Sequence, residues 1–154
     1  MTIRVLIDGW RRSAARWQQL AIRLPLGTIF IAHGGQALFG WWGGAGFVAS
    51  LQSYQTHLGI PVQLAAVALL LQFFGGILIV VGLLTRVVAA LLAILMVVAI
   101  IKVHLGSGFF LNWQLVAGRG HGVELNIALL GMCLALLLGG AGEPSIDGPD
   151  APHP

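Results

Sequence analysis

Eight polar or ionisable side chains stand inside apolar runs or at their rims: His33, Gln36, Gln72, Lys102, His104, His121, Glu124 and Asn126. An imidazole exchanges protons near neutral pH, and an amide donates to a carbonyl oxygen while also accepting from a hydroxyl. These types suit hydrogen bonding to an amphipathic molecule and proton exchange with it. His121 and Glu124 are three apart and would share a helix face. Lys102 or His104 would neutralise Glu124, because an unpaired buried carboxylate is expensive. His104, His121 and Glu124 form the best arrangement for a metal, but they lack a tight ligand motif, so no metal site is expected. A haem between His33 and His104 is disfavoured: about eight residues separate their depths, an offset near 12 Å at 1.5 Å per residue. The single cysteine, Cys133, excludes an intramolecular disulfide and dithiol exchange, and it reads as a small buried hydrophobe. A phosphate-binding GxxxxGK[ST] loop, a Ser-His-Asp arrangement and an HExxH motif are all missing from the sequence.

The elements that position these groups follow from composition. Of 154 residues, 58% are hydrophobic and 8% charged, with mean hydropathy +0.93. An ordinary soluble domain carries about 25% charged residues. So few polar side chains cannot cover a water-facing surface, and the class is integral membrane protein. The net charge of +3 does not indicate a nucleic-acid partner, because the basic residues flank apolar runs and form no basic, aromatic-interleaved face. Crossing the hydrocarbon takes about 20 apolar residues. Four segments are expected to do so: 24–40, 62–83, 87–105 and 122–140, the first being the shortest and most polar. Only a few residues separate the second from the third, which predicts a tight helical hairpin.

Residues 1–23 place Ile3, Leu6, Ile7, Trp10, Ala14, Trp17 and Ala21 on one helical face. Arg11, Arg12, Arg16, Gln18 and Gln19 mostly fall on the other, which predicts an amphipathic helix in the membrane interface. Its long basic region and the lack of a cleavage site argue against a secretory signal peptide. The tail 141–154 is acidic, proline-rich and expected to be irregular. The predicted fold is therefore all-α: a polytopic membrane four-helix bundle with an N-terminal interfacial amphipathic helix. Arg4, Arg11, Arg12, Arg16, Arg23 and Arg86 fall on one side and only Lys102 and Arg119 on the other, which sets both termini in the cytoplasm. Loops 41–61 and 106–121 then face outward, and Trp41, Trp42, Trp113, Phe109 and Phe110 suit the outer interfacial belt. On this topology all eight polar groups lie at mid-membrane or in the outer half. The cytoplasmic half is almost free of such groups. That asymmetry predicts a pocket between the helices, opening outward or to lipid at that level. Gly34, Gly35, Gly40, Gly75, Gly76, Gly82 and Gly131 would permit close helix approach.

The pieces AHGGQALFG, QFFGGILIVVGLLTR, AIIKVHLGSGFF, GVELN and GAGEPSID, in this order over about residues 22–147, resemble the DoxX family of small four-helix membrane proteins. The resemblance implies a location in the bacterial inner (plasma) membrane and a role as an oxidoreductase or quinol-oxidase-type subunit. Relatives include the membrane subunit of an archaeal thiosulfate:quinone oxidoreductase, and others are associated with thiol and oxidative-stress systems. The family's polar residues fall on His33, Lys102, His104 and Glu124. One departure is Gln72, where helix 2 often carries Glu before the GG pair, so a titratable role there is in doubt. The functional expectation is a redox-linked, quinone-binding subunit with no covalently bound cofactor. Its ligand pocket comprises His33, Gln36, Gln72, Lys102, His104 and Glu124. Gln72, His33 and Gln36 would bond a quinone carbonyl, while His104 and Glu124, the candidate catalytic groups, would exchange protons. Electrons would come from a protein partner in a membrane redox complex. The alternative is a non-catalytic scaffold or accessory subunit docking on a larger complex. A small transporter is a weaker expectation, because the polar path stops before the cytoplasmic half.

Overall fold

The computed structural model describes the backbone of residues 3–148 and the side chains of 17–148. Among these residues the chain is all-α, without a strand: α1 (Ile3–Phe39), α2 (Gly46–Leu58), α3 (Val62–Val81), α4 (Thr85–Ala99) and α5 (Glu124–Gly139). Helix α4 continues without a break through a π turn, Ile100–His104, into a 3-10 turn, Leu105–Ser107. Two helices are long and apolar enough to cross a membrane, Val62–Val81 and Thr85–Ser107. At 1.5 Å per residue, 20 residues reach about 30 Å, the thickness of the hydrocarbon. The apolar α5 is shorter.

Helix α1 runs unbroken past residues 23 and 24, where the sequence suggests a division, and carries Pro25 within it. Of the interfacial helix expected over residues 1–23, the side chains of 1–16 lie outside the described residues. Helix α1 packs on α3 backbone to backbone. A Cβ on Gly34 would lie 2.5 Å from the Phe73 amide nitrogen, and one on Gly76 would lie 2.8 Å from the Gly27 carbonyl oxygen. Only residues without side chains let two helices approach this closely. Gly131 plays no such part: it is exposed on α5 with open space where its Cβ would be. Helix α5 lies along α4, and α1, α3, α4 and α5 share one core that includes Leu26, Ile79, Leu92, Cys133 and Leu136. Cys133 is fully buried there as a free thiol.

The end of the molecule that holds the α3–α4 turn departs from expectation. Arg23, read as a flanking charge, is 1% exposed. Its guanidinium donates to the carbonyls of Ile79 (2.9 Å) and Val80 (2.6 Å) at the end of α3, and to Ala141 (2.9 Å) and Pro144 (2.8 Å) beyond α5. The last carbonyls of a helix have no partner within it, and here an arginine supplies one. Gly82 makes room: it sits at φ 69°, and a Cβ would stand 2.7 Å from the Arg23 Cζ. Residues 141–148 carry no helix, yet they are anchored. Asp147 accepts from the amides of Leu84 (2.7 Å) and Thr85 (2.8 Å), capping α4, while Arg86 donates to the Leu137 and Leu138 carbonyls (both 2.8 Å) at the end of α5. Partial burial works against ionisation of the Asp147 carboxyl. The Thr85 and Leu84 donors and the nearby Arg23 charge outweigh it and hold the group below the ordinary aspartate value.

Segment 41–61, read as a loop, contains α2. This helix ends at Gly59, at φ 64°, and leans on α1 through a bond from Ser50 Oγ to the Ala37 carbonyl (3.1 Å). Trp41 covers Gly35 and meets Phe73 edge-on at 5.6 Å between centroids, closing α1 against α3, whereas Trp42 and Trp113 stand exposed.

Candidate functional site

Helices α3 and α4 are joined by a short turn, and a cavity of about 1050 Å³ lies between the parts of them remote from it. One wall is the first half of α3, from Leu64 to Gln72; the opposite wall is the last half of α4 with its π turn, from Leu91 to His104. Helix α1 supplies Ile29, Phe30 and His33, α2 supplies Ser53, Tyr54 and His57, and α5 supplies Leu125, Asn126 and Leu129. The lining is mostly aliphatic, with the polar groups set in it. Several rim residues are exposed, including Leu64, Val67 and Ile94 (each 61%), so the cavity opens sideways past apolar side chains. A π turn inserts one residue into the helical repeat and recurs at functional sites. Here it carries Lys102 and His104.

Hydrogen bonds settle which face each imidazole offers. His33 Nδ1 lies 2.9 Å from the Ile29 carbonyl oxygen, and His104 Nδ1 lies 2.8 Å from that of His121. A carbonyl only accepts, so both Nδ1 atoms carry a proton, and in the neutral ring each Nε2 is left as an acceptor. His121 is the reverse. Its Nδ1 accepts from the Asn112 amide (3.2 Å), which leaves Nε2–H as a donor. Gln72 donates to the Tyr54 hydroxyl at 3.4 Å, and Asn126 to the Met96 sulfur at 3.8 Å.

Of the six residues expected to line the pocket, the cavity brings together His33, Gln72, Lys102 and His104, and it also takes in His121 and Asn126. Gln36 and Glu124 do not line it. Gln36 is exposed and packs against Gly44. Glu124 accepts from the Leu111 amide (3.1 Å), where neutralisation by Lys102 or His104 was expected. His121 precedes α5, so it shares no helix face with Glu124. The cause is the returning loop 108–123: the carbonyls of Gly108, Phe109 and Phe110 accept from the amides of Val123, Glu124 and Gly122. Asn112, buried, pins that loop through bonds to Val116 and Arg119. Sequence reasoning missed Asn112, Tyr54 and His57. The signal for the latter two was present: 46–58 is free of charge, ends at a Gly-Ile-Pro stop, and places Tyr54 and His57 three apart. Among the described residues no group of three His, Cys, Asp or Glu side chains is placed to hold a metal.

An all-α chain with two membrane-length helices beside a side-opening cavity, apolar with a few polar groups, has the architecture of a small helical membrane protein. The chain belongs to the DoxX family, whose pattern matches residues 18–105, from α1 through the π turn. Family membership and the two long apolar helices point to a membrane location. The chain is 34% identical over 93 residues to a Bacillus subtilis (strain 168) protein named "Putative oxidoreductase CatD". That match covers 60% of this chain and 64% of the relative, so the chain spans less than two thirds of its length. No solved structure matches the chain.

Proposed function

We propose that this protein is a redox-linked membrane subunit that binds a quinone in the cavity between α3 and α4 and exchanges electrons through a partner protein. The observation that carries this reading is the cavity itself: about 1050 Å³, aliphatic along its length, with polar groups of defined hydrogen-bonding sense. A quinone is an apolar tail on a ring that accepts at its carbonyls when oxidised and donates from its hydroxyls when reduced. His121 Nε2–H and Lys102 serve the first form, and the free Nε2 atoms of His33 and His104 serve the second. The CatD relative's name points the same way. In this reading α1, α3, α4 and α5 all cross the bacterial inner membrane, with both termini cytoplasmic.

The test is equilibrium binding of a benzoquinone carrying a decyl tail to the protein in lipid nanodiscs. His33→Ala and His104→Ala should each weaken binding about tenfold, the equivalent of one hydrogen bond or a little more. Unchanged binding in both variants would overturn the site. Purification in native-like lipid should also yield a stoichiometric redox partner.

A further inference from the structure

We propose that the same cavity takes a single-chain amphiphile with an anionic headgroup, its head at Lys102 and its chain along the α3–α4 wall. The proposal shares the cavity with the quinone reading but rests on different observations. The first is the charge inventory. Among the described residues Lys102 is the one formally charged side chain lining the cavity, beside four histidines, and no carboxylate lines it. Glu124 does not line the cavity and accepts from the Leu111 amide, and Asp147 caps α4 at the far end. Among the described residues no hydrogen bond or ion pair holds the Lys102 ammonium. Lys102 is exposed at one end of that lining, so its ammonium is open to a headgroup while a chain lies along the aliphatic wall. A neutral ligand leaves it unpaired, whereas an anion completes the site. His121 Nε2–H adds a donor on the same lining.

The second observation is dimension. From Lys102 to Leu91, eleven residues along the α4 wall, the lining extends about 16 Å at helical rise. The acyl chain of one membrane leaflet covers half the hydrocarbon, roughly 15 Å. The third is access: exposed Leu64, Val67 and Ile94 on the rim would let a chain enter from the side while its head stays at the polar end. A long-chain carboxylate and a single-chain phospholipid share this chemistry.

Binding of palmitate, of palmitoyl lysophosphatidate and of the neutral hexadecanol to the full chain in phosphatidylcholine nanodiscs tests the proposal. At least one acid should bind tenfold or more tightly than hexadecanol. Lys102→Gln should erase that preference and leave hexadecanol binding unchanged, which also shows that the variant is folded. Lys102→Arg should keep it. Preference for palmitate assigns the head as a carboxylate; preference for lysophosphatidate assigns it as a phosphate. Equal binding of hexadecanol and both acids, or an acid preference that survives Lys102→Gln, overturns the proposal. Loss of the quinone site through His33→Ala and His104→Ala is scored separately with the decyl benzoquinone, so either reading can fail alone.

Discussion

Replacing Arg23 should loosen the whole turn end of the molecule. Its guanidinium bonds four carbonyls from two parts of the chain at 2.6 to 2.9 Å. In Arg23→Ala the Ile79 carbonyl keeps the Gly82 amide at 3.2 Å, but those of Val80, Ala141 and Pro144 lose the arginine donor. A buried acceptor left unsatisfied costs about 1–3 kcal/mol. Three simple losses would reach roughly 3–9 kcal/mol, but water can enter at the end of the bundle and the tail can relax. A net loss of about 3–5 kcal/mol is expected, comparable to removing one partner from a buried ionic site. For a chain of this size that lowers Tm by on the order of 10 °C. Arg23→Lys keeps the charge, but a compact ammonium cannot span four carbonyls in two directions, so it should lose about half as much. Thermal unfolding in lipid nanodiscs reads the total, and amide hydrogen exchange reads the place. Residues 141–148 and the Leu84 and Thr85 amides should lose protection first, because Asp147 reaches α4 only while the tail is anchored. A loss below about 1 kcal/mol in Arg23→Ala, under the cost of even one orphaned acceptor, would refute the reasoning. So would a fall in Tm with tail exchange unchanged, since Arg23 would then act through α1 and α3 alone.

Gly34→Ala should destabilise the fold by about 1–3 kcal/mol, because the new methyl meets Phe73 backbone, which cannot move aside. Gly131→Ala, in open space on α5, should instead be neutral or stabilise by up to about 1 kcal/mol. Equal thermal shifts for the two would contradict backbone contact between α1 and α3. The Asp147 carboxyl is held below its ordinary value of 3.8, so its contribution is fully present above that value and is lost as pH falls through the folded value. Asp147→Asn should flatten the acid limb of a stability profile taken from about pH 6 down to about pH 3; an unchanged limb would show that the cap contributes nothing.

The two long apolar helices are legible because a run of this length and hydropathy has few alternatives, and the few residues between them leave room only for a tight turn. Part of the cavity is legible too, since polar groups in apolar helices face inward rather than toward lipid. What spacing could not supply is pairing. Glu124 and His121 fit a shared helix face only if α5 begins before them; it begins at Glu124, and the returning loop offers backbone partners that no side-chain pattern records. Helix α2 was hidden because its mixed polar composition reads as a loop unless its stop at Gly59 is weighed. Arg23 was hidden for a different reason. A cation at the end of an apolar run looks the same whether it snorkels to water or turns inward, and only the convergence of α3 with the tail decides.

That convergence changes what the polar asymmetry of the sequence means. The turn end is not poor in polar groups; Arg23, Arg86 and Asp147 are all there, but their bonds are spent on helix-terminal and tail backbone. At the other end, Lys102 and the Nε2 atoms of His33 and His104 retain unused capacity, in a cavity whose walls are aliphatic. A polar group that is fully bonded within the fold stabilises it and has nothing left for a ligand. One that is left open beside an apolar cavity, as the exposed Lys102 and His33 are, is free to meet a ligand. Free hydrogen-bonding capacity, rather than polarity, therefore separates the candidate site from the structural clamp. By that criterion His33, Lys102 and His104 stay in the candidate site, while Glu124, which the family resemblance favoured, opens α5 and holds the returning loop through the Leu111 amide.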